Sequence, residues 1–305
     1  MIGAEIFRRR LMSMMRTVGD IDCGYVVLTR AGLTTAYDMN LRIAGEGFDI
    51  SQISSVEING VPRDVARTYS LDFGGDITAI IRYKNLLSCH GMFDNVEFFY
   101  YDSETDDSVT ITSVDDIDMT HLDTRLSSDF YGFLKNSSTW GLSGIGSLDV
   151  SKATNFSHLF YNLGGAYRLS LNLSSWDTQN VTDMSYIFGT AGSFSDVSFL
   201  SIIVNGWDTS KVTNMEGCFS RQYNITSLNL GSWDTSTATN MIKMFWFCRN
   251  LTELRMLGPT NPNADVTNMF LDIKTNGTFY YNPAYDYSHI IAQLPSTWTA
   301  VAVNS

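Results

Sequence analysis

The chain has 305 residues, a formal net charge of −12 and a sequence pI near 4.6. This acidic balance argues against a sequence-independent nucleic-acid binder, because phosphate backbones are bound mainly through lysine and arginine. Hydrophobic residues make up 44% of the chain and aromatic residues 13%, which is enough for a packed core and argues against disorder.

The first twenty residues combine apolar positions with three consecutive arginines. They contain no continuous apolar stretch followed by a small-residue cleavage site, so we expect no secretory signal. The spacing indicates a short amphipathic helix with a basic face, which would dock to a partner, pack against its own domain or anchor at a membrane surface. We favour docking of residues 1–20, through Ile6, Arg8, Arg9, Arg10 and Leu11.

Residues 21–85 change to a β pattern of short apolar or alternating runs. The predicted strands are Tyr25–Thr29, Leu41–Ala44, Ile53–Ile58, Thr68–Phe73 and Ile77–Tyr83. Asn59-Gly60 and the glycine pair at 74–75 followed by Asp76 indicate hairpin turns. Five strands with tight turns predict a small β-sandwich of immunoglobulin-like type.

Residues 86–121 are a predicted junction between this module and the second half of the chain. Met92 and Phe93, with the apolar runs after them, predict a degenerate first coil that caps the open end of a repeat array. The acidic run between Asp102 and Asp118 begins like a calcium loop but lacks its glycine and its last glutamate. We therefore interpret the acidic run as a solvated loop.

The second half of the chain repeats one phrase. The copies are LDTRLSSDFYGFL (122–134), LDVSKATNFSHLF (148–160), WDTQNVTDMSYIF (176–188), WDTSKVTNMEGCF (207–219), WDTSTATNMIKMF (233–245) and ADVTNMF (264–270). From the second copy on, a small apolar residue recurs after steps of 28, 31, 26 and 28 residues, at Ala153, Val181, Val212, Ala238 and Val266. This period predicts a solenoid over residues 122–282, with a C-terminal cap at 283–305.

Each repeat contains two predicted elements. An alternating run before the phrase predicts a strand with one buried face, and the helical spacing of apolar residues in Val-Thr-Asn-Met-x-x-Met-Phe predicts a short helix. One such unit cannot bury its own apolar face, so the units are expected to stack into a ladder of short parallel strands. The predicted fold class of the whole chain is therefore mixed β and α/β.

Stacking places equivalent side chains in columns. The expected structural core consists of Trp176, Trp207, Trp233, Met184, Met215, Met241, Phe160, Phe188, Phe219 and Phe245. A second column, of Asp149, Asp177, Asp208 and Asp234, suits an Asx-type corner. A calcium ladder is the less favoured alternative, because stacked carboxylates would lie roughly 5 Å apart.

These residues also carry a resemblance. WDTSKVTNMEGCF followed by ITSLNLGSWDTSTATNM resembles the BspA-like leucine-rich repeats of bacterial surface proteins, in the WDTSxVTNMxxMFxxC variant found in lipoproteins and adhesins. The resemblance covers about residues 118–282 and implies a leucine-rich-repeat-like solenoid. It also implies adhesion to host or bacterial surface ligands, and it brings no catalytic residues.

Other chemistry has little support in the sequence. Cys23, Cys89, Cys218 and Cys248 are scattered, which favours buried free thiols over a disulfide framework or a zinc site. No nucleophile, phosphate-loop or metalloprotease motif is present, so we expect no enzyme activity and no cofactor. No run of 18 apolar residues occurs, so we expect no membrane span.

We therefore expect a non-enzymatic binding or structural protein on an extracellular surface. The favoured hypothesis is a bacteriophage virion component, a fibre, decoration or receptor-binding subunit that docks to other virion subunits through residues 1–20. Virion proteins leave by lysis and need no signal. The alternative is a bacterial cell-surface adhesin exported by another route. Either protein would bind a protein or glycan ligand and not nucleic acid, and it could form a homo-oligomer.

Overall fold

A computed structural model describes residues 22–33, 39–71, 75–100, 114–164, 169–191 and 199–304. Across these residues the chain is mostly β, with antiparallel sheets before residue 123 and a parallel β-solenoid after it. The predicted docking residues Ile6, Arg8, Arg9, Arg10 and Leu11 lie outside the described residues. Among the described helices, none has the length and apolarity needed to cross a membrane.

Eight strands form the antiparallel region. They are β1 (Asp22–Leu33), β2 (Met39–Arg42), β3 (Ile53–Ile58), β4 (Val61–Arg63), β5 (Thr68–Leu71), β6 (Gly75–Lys84), β7 (Glu97–Tyr100) and β8 (Asp116–Leu122). One sheet has the order β4-β3-β6-β1-β8 and the other β5-β2-β7. Asn59 and Gly60 join β3 to β4 with φ angles of 48° and 80°, as a two-residue type I′ hairpin requires.

Two predictions for this region are wrong. Strands β5 and β6 do not pair as the predicted hairpin, because β5 pairs with β2 in one sheet whereas β6 pairs with β1 and β3 in the other. Glycine signals a turn, but the strand partners depend on which faces are buried. The last part of the acidic run is also not a loop, since Asp116 and Asp118 lie in β8, where Ile117 and Met119 point into the core. Residues 102–107 of that run lie outside the described residues.

Six short strands lie in the described part of the solenoid. They are β9 (Ser170–Asn172), β10 (Ser201–Ile203), β11 (Ser227–Asn229), β12 (Glu253–Met256), β13 (Gly277–Tyr281) and β14 (Trp298–Ala302). All their pairings are parallel. The inward residues of the first five are buried, namely Leu171, Ile202, Leu228, Leu254 and Phe279. A single turn of helix, α1 (Ser288–Ile291), precedes β14.

The predicted short helices are absent from the described repeats. Each is replaced by a turn segment, and we number these segments 1 to 7: residues 88–96, 129–137, 155–163, 183–191, 214–222, 240–248 and 265–273. In segment 3, the N–H groups of Phe156, His158 and Phe160 donate to carbonyls of segment 4, each at 2.9 Å. The bonds that would hold an α-helix within one segment are thus made between neighbouring coils.

A left-handed residue at the fourth position of each segment also excludes a helix. The residues there are Gly91, Gly132, His158, Tyr186, Gly217, Lys243 and Asn268, with φ between 53° and 60°. Non-glycine residues in this conformation occur singly and not in helices. Apolar residues still recur at nearly helical spacing because the turns return them to the core, and this is why the sequence pattern misled the prediction.

The last repeat has a different register from the one the sequence predicted. The isolated bridge between Asn240 and Asp265 makes Val266 the counterpart of Met241 and not of Ala238. Ala264 takes the small apolar position instead, since its N–H closes onto Asn261 as that of Ala238 closes onto Thr235. The short copy therefore aligns three residues away from its apparent match, and Met269 and Phe270 fill the inward positions of segment 7.

Aromatic columns run along the solenoid core. The Trp176, Trp207 and Trp233 rings stack at 6.0 and 5.9 Å, with interplanar angles of 1° and 8°. The Phe160, Phe188, Phe219, Phe245 and Phe270 rings form a second stack with spacings between 5.3 and 5.8 Å. Met184, Met215 and Met241 are also fully buried. Each large apolar side chain contributes roughly 1.5–3 kcal/mol on burial, so these columns dominate the stability of the solenoid.

The antiparallel region and the solenoid share backbone hydrogen bonds. Segment 1 donates to segment 2, as from the Cys89 N–H to the Asp129 carbonyl at 2.9 Å. Strand β8 continues this ladder, with Met119 N–H donating to the Ser143 carbonyl at 2.7 Å. The N-terminal end of the solenoid is therefore covered by the five-stranded sheet.

Candidate functional site

The corner aspartates accept hydrogen bonds that stabilise the corner turn. The carboxylates of Asp149, Asp177, Asp208 and Asp234 each accept from the backbone N–H two residues further on, at 2.8 to 3.2 Å. Hydrogen bonds from Ser210 hold the pKa of Asp208 below its ordinary value, and Ser151 does the same for Asp149. Among the described residues, no three His, Cys, Asp or Glu side chains come together as a metal site.

The cysteines are poor candidates for chemistry. All four are buried and free. Burial raises the pKa of the Cys89 and Cys248 thiols to about 12, so the reactive thiolate is disfavoured at neutral pH.

A second Asx ladder begins at segment 2 and opens each turn segment from there on. Its members are Asp129, Asn155, Asp183, Asn214, Asn240 and Asp265, joined in sequence by parallel bridges. Each side chain accepts from the N–H two residues on. No two aspartates are neighbours, and the amide of Asn214 donates to the carboxylate of Asp183 at 3.1 Å. The alternation keeps like charges apart along the ladder.

The outward side of the turn segments is the surface on which the repeats differ. We call this surface, formed by the exposed and half-buried residues at the third, fourth, seventh and eighth positions of segments 1 to 7, the turn face. The inward second, fifth and sixth positions stay apolar in every segment, and the sixth is phenylalanine in all but segment 2. The third position changes from coil to coil: His90, Tyr131, Ser157, Ser185, Glu216, Ile242 and Thr267. Folding depends on the inward side chains. The outward side chains can therefore differ between coils without loss of the fold, and they are the ones available to recognise a ligand.

Aromatic rings meet across four coils of the turn face. The aromatic cluster consists of His90, Tyr131, His158, Tyr161 and Tyr186, all half-buried. His90 stacks on Tyr131 with centroids 4.8 Å apart, and His158 stacks on Tyr186 at 5.2 Å. Tyr131 lies 5.5 Å from His158, which makes the row continuous. Rings in such a row offer flat apolar surface together with polar edges.

Polar contacts fix the aromatic cluster in place. The Tyr186 hydroxyl donates to Glu216 Oε1 at 2.8 Å, and His90 Nδ1 lies 2.9 Å from Asp129 Oδ2. Burial, with the nearby charge of Lys135, lowers the pKa of His158. The ring therefore stays neutral at physiological pH. Its Nδ1 lies 2.7 Å from Ser157 Oγ, but Ser157 is buried, so this pair is not open to a substrate.

Cations and rings meet on the next part of the turn face. The cationic cluster consists of Arg221, Lys243, Trp246, Phe247 and, just beyond segment 6, Arg249. The Arg221 guanidinium lies 4.5 Å from the Trp246 centroid, and that of Arg249 lies 4.7 Å from the Phe247 centroid. Lys243 Nζ lies 5.2 Å from the Trp246 ring. Contacts of this kind hold a cation over a ring at a stabilisation of about 0.5–1 kcal/mol when exposed.

The two clusters adjoin each other. The Tyr186 ring leans over Gly217, where a Cβ atom would lie only 2.3 Å from Cε1 of the ring. Lys243 occupies the position of Gly217 one coil further on. The turn face thus presents one aromatic and one cationic area side by side.

Sequence reasoning missed both clusters. Near the C-terminus, by contrast, Trp298 is buried and donates from Nε1 to the Lys274 carbonyl at 2.7 Å. The signal that would have found the clusters is the divergence between repeats at the four outward positions. Reading that signal required the turn geometry, which the helical interpretation hid.

Comparisons with known proteins identify the repeats. Two segments, residues 124–198 and 195–279, match the family model described as Mycoplasma protein of unknown function, DUF285. Together they span just over half of the chain. No curated protein and no solved structure matches.

Proposed function

Because the chain belongs to the DUF285 family of Mycoplasma proteins of unknown function, we propose its function from its own surface. It is a non-enzymatic binding protein displayed on an extracellular surface, and its turn face holds the ligand. The observation that carries this proposal is the row of half-buried rings from His90 to Tyr186, contributed by four coils and not needed to close the core. Extended surfaces of this kind are how solenoids bind partners.

We also infer a finer kinship. The WDTSxVTNM phrase supports a relation to the BspA-like leucine-rich repeats of bacterial surface proteins. One short parallel strand, one corner and one turn segment per coil are compatible with that relation. Adhesion to a protein or glycan ligand is the activity that this kinship favours.

We consider two surfaces on which the protein would be displayed. A bacteriophage particle, with residues 1–20 docked to other virion subunits, is the one that the basic N-terminal segment favours. The family's description as Mycoplasma proteins favours the alternative, a bacterial cell surface. Light scattering of the full chain with and without residues 1–18 separates them, because an assembly subunit should lose its oligomeric state on truncation and a free-standing adhesin should not change.

Binding through the turn face is tested with intact cells. Labelled full-length protein is titrated onto a panel of bacterial and cultured animal cells, beside the variants Tyr131→Ala and Tyr285→Ala. Tyr131 lies in the aromatic cluster, whereas Tyr285 is an exposed tyrosine near the C-terminus and serves as the matched control. We expect at least tenfold weaker cell binding for Tyr131→Ala and no change for Tyr285→Ala. Equal losses in both variants, or a loss in neither, would contradict the proposal.

A further inference from the structure

The cationic cluster narrows the class of ligand. We propose that it binds the carboxylate or sulfate groups of an anionic polysaccharide, while the neighbouring aromatic cluster stacks on the sugar rings. This assignment rests on the proposed function, since it names the ligand class of the same turn face.

Charge is concentrated at the cationic cluster. In a chain of net charge −12, three cations gather on segments 5 and 6 and just beyond, at Arg221, Lys243 and Arg249. Within the part of the chain that the structure describes, neither Lys243 nor Arg249 lies within 4.0 Å of a carboxylate. Cations elsewhere do pair with carboxylates, as Arg30 does with Asp115 at 2.8 Å.

Acidic side chains near the cluster do not cancel its charge. Asp272 holds the position of Phe247 one coil further on. Glu216, on the other side, accepts from the Tyr186 hydroxyl and from the Asn240 amide. The three cations of the cluster thus stand beside two carboxylates, and the formal charge of these five side chains remains positive.

The arginines of the cluster are preorganised for an acid group. A guanidinium held at a ring by a cation–π contact can still donate two parallel hydrogen bonds to a carboxylate or sulfate. Arg221 lies over both Trp246 and Phe247, at 4.5 and 5.1 Å, and Arg249 lies over Phe247. These contacts restrict the side chains before the ligand arrives, which lowers the entropy lost on binding.

A polysaccharide fits the turn face better than other polyanions do. A nucleic acid is bound mainly through many lysine and arginine contacts along its phosphates, and the turn face offers a cluster of only three cations in a chain of net charge −12. An acidic peptide would use the cations but has no need of the adjoining row of rings. A sugar chain with acidic substituents uses both, since its apolar ring faces stack on tyrosine and its acid groups pair with arginine.

The test uses full-length protein and defined polysaccharides. Isothermal titration measures binding of polygalacturonate oligomers and dextran sulfate, with neutral dextran and poly-glutamate as comparison probes. The variants are Lys243→Gln and Arg249→Gln. The matched control is Lys152→Gln, which removes an exposed lysine from the corner of another coil. Circular dichroism verifies the fold of each variant.

We expect one of the two acidic polysaccharides to bind, and each cluster variant to weaken binding about tenfold with a shallower dependence on salt, while Lys152→Gln changes neither. Neutral dextran should bind at least tenfold more weakly than the acidic probe. Unchanged affinity in both cluster variants would overturn the proposal, as would tighter binding of poly-glutamate. Wild-type protein that binds cells through Tyr131 but neither acidic polysaccharide would overturn this inference and leave the proposed function standing.

Discussion

At the scale of the residue, the fourth position of each turn segment has two conflicting requirements: a left-handed backbone, which suits glycine, and a side chain for the surface. Its left-handed backbone suits glycine, which segments 1, 2 and 5 have, whereas segments 3, 4 and 6 place His158, Tyr186 and Lys243 there. A non-glycine residue in this conformation costs roughly 1–2 kcal/mol. The three costly residues are also the ones that give the turn face two of its rings and one of its cations.

Two buried glycines at this position separate backbone strain from steric overlap. A Cβ added at Gly132 would make an ordinary van der Waals contact with the Lys135 side chain at 3.5 Å, whereas the same atom at Gly217 would overlap the Tyr186 ring. We expect Gly132→Ala to lower the free energy of unfolding by about 1 kcal/mol. Gly217→Ala should lower it by about 2–4 kcal/mol. Urea unfolding measures both, and equal losses would show that the ring moves away freely.

The corner aspartates give a prediction about pH. The Ser210 hydroxyl donates to Asp208 Oδ1 at 2.6 Å and is the largest cause of the lowered pKa of that carboxyl. A lowered pKa contributes stability that is present above the unfolded value of about 4 and lost as the pH falls through the folded value. Ser210→Ala should therefore lose less than about 1 kcal/mol at pH 7, and this loss should shrink as the pH is lowered from 7 to 2.

Ser236→Ala is the matched control for this prediction, because Ser236 donates to Asp234 only through its backbone N–H. Thermal unfolding across pH 2 to 7 makes the comparison. The same pH dependence in both variants would show that the hydroxyl does not set the pKa of Asp208.

At the scale of the element, the solenoid is held by columns whose members touch only their neighbours. The Trp207 ring lies between two others, and its Nε1 donates to the Leu173 carbonyl at 2.8 Å. The hydrogen bond and the two stacked faces both run between coils. A column of this type buries apolar surface area. It also fixes the register of each coil relative to the next.

Replacing the central ring should therefore be costly. We expect Trp207→Phe to lower the free energy of unfolding by about 2–4 kcal/mol, because it leaves a cavity and removes the Nε1 hydrogen bond to the Leu173 carbonyl. Trp140→Phe is the control, since this tryptophan is 38% exposed. Denaturant unfolding followed by circular dichroism measures the difference. A loss of less than about 1 kcal/mol for Trp207→Phe would show that the stacked indole ring and its hydrogen bond contribute little to stability.

The elements also show what sequence could predict. The Trp and Phe columns follow from the period alone, and β3 matches its predicted bounds, since the Asn-Gly turn after it has few alternatives. The helices were wrong because turns closed by left-handed residues return apolar side chains to the core almost as a helix does. The aromatic and cationic clusters could not be predicted, because their members lie on different repeats and meet only when the coils stack.

At the scale of the whole molecule, the sheet and the solenoid are one hydrogen-bonded structure. Strand β8 and segment 1 both bond to the second coil, so the antiparallel region covers the end at which the solenoid core would otherwise meet water. Repeat arrays depend on such terminal covers for solubility.

Removing the cover should expose the core. A fragment of residues 122–305 loses segment 1 and most of β8, and it uncovers Phe130 and Phe133, which are fully buried in the intact chain. We expect this fragment to unfold at a lower temperature and to bind a hydrophobic dye. A chain of residues 22–305 keeps every described hydrogen bond and serves as the control. Identical melting of the two would show that the solenoid folds without its cover.

The alternation of aspartate and asparagine along the second ladder constrains how the array can lengthen by unequal recombination. An extra copy of the coil that carries Asn214 or Asn240 places an amide beside its neighbours and adds no charge to the ladder. An extra copy of the coil that carries Asp183 sets two carboxylates on adjacent rungs, roughly 5 Å apart. Asparagine coils can therefore lengthen the array without adding charge to this ladder, whereas each duplicated aspartate coil adds a pair of like charges on adjacent rungs.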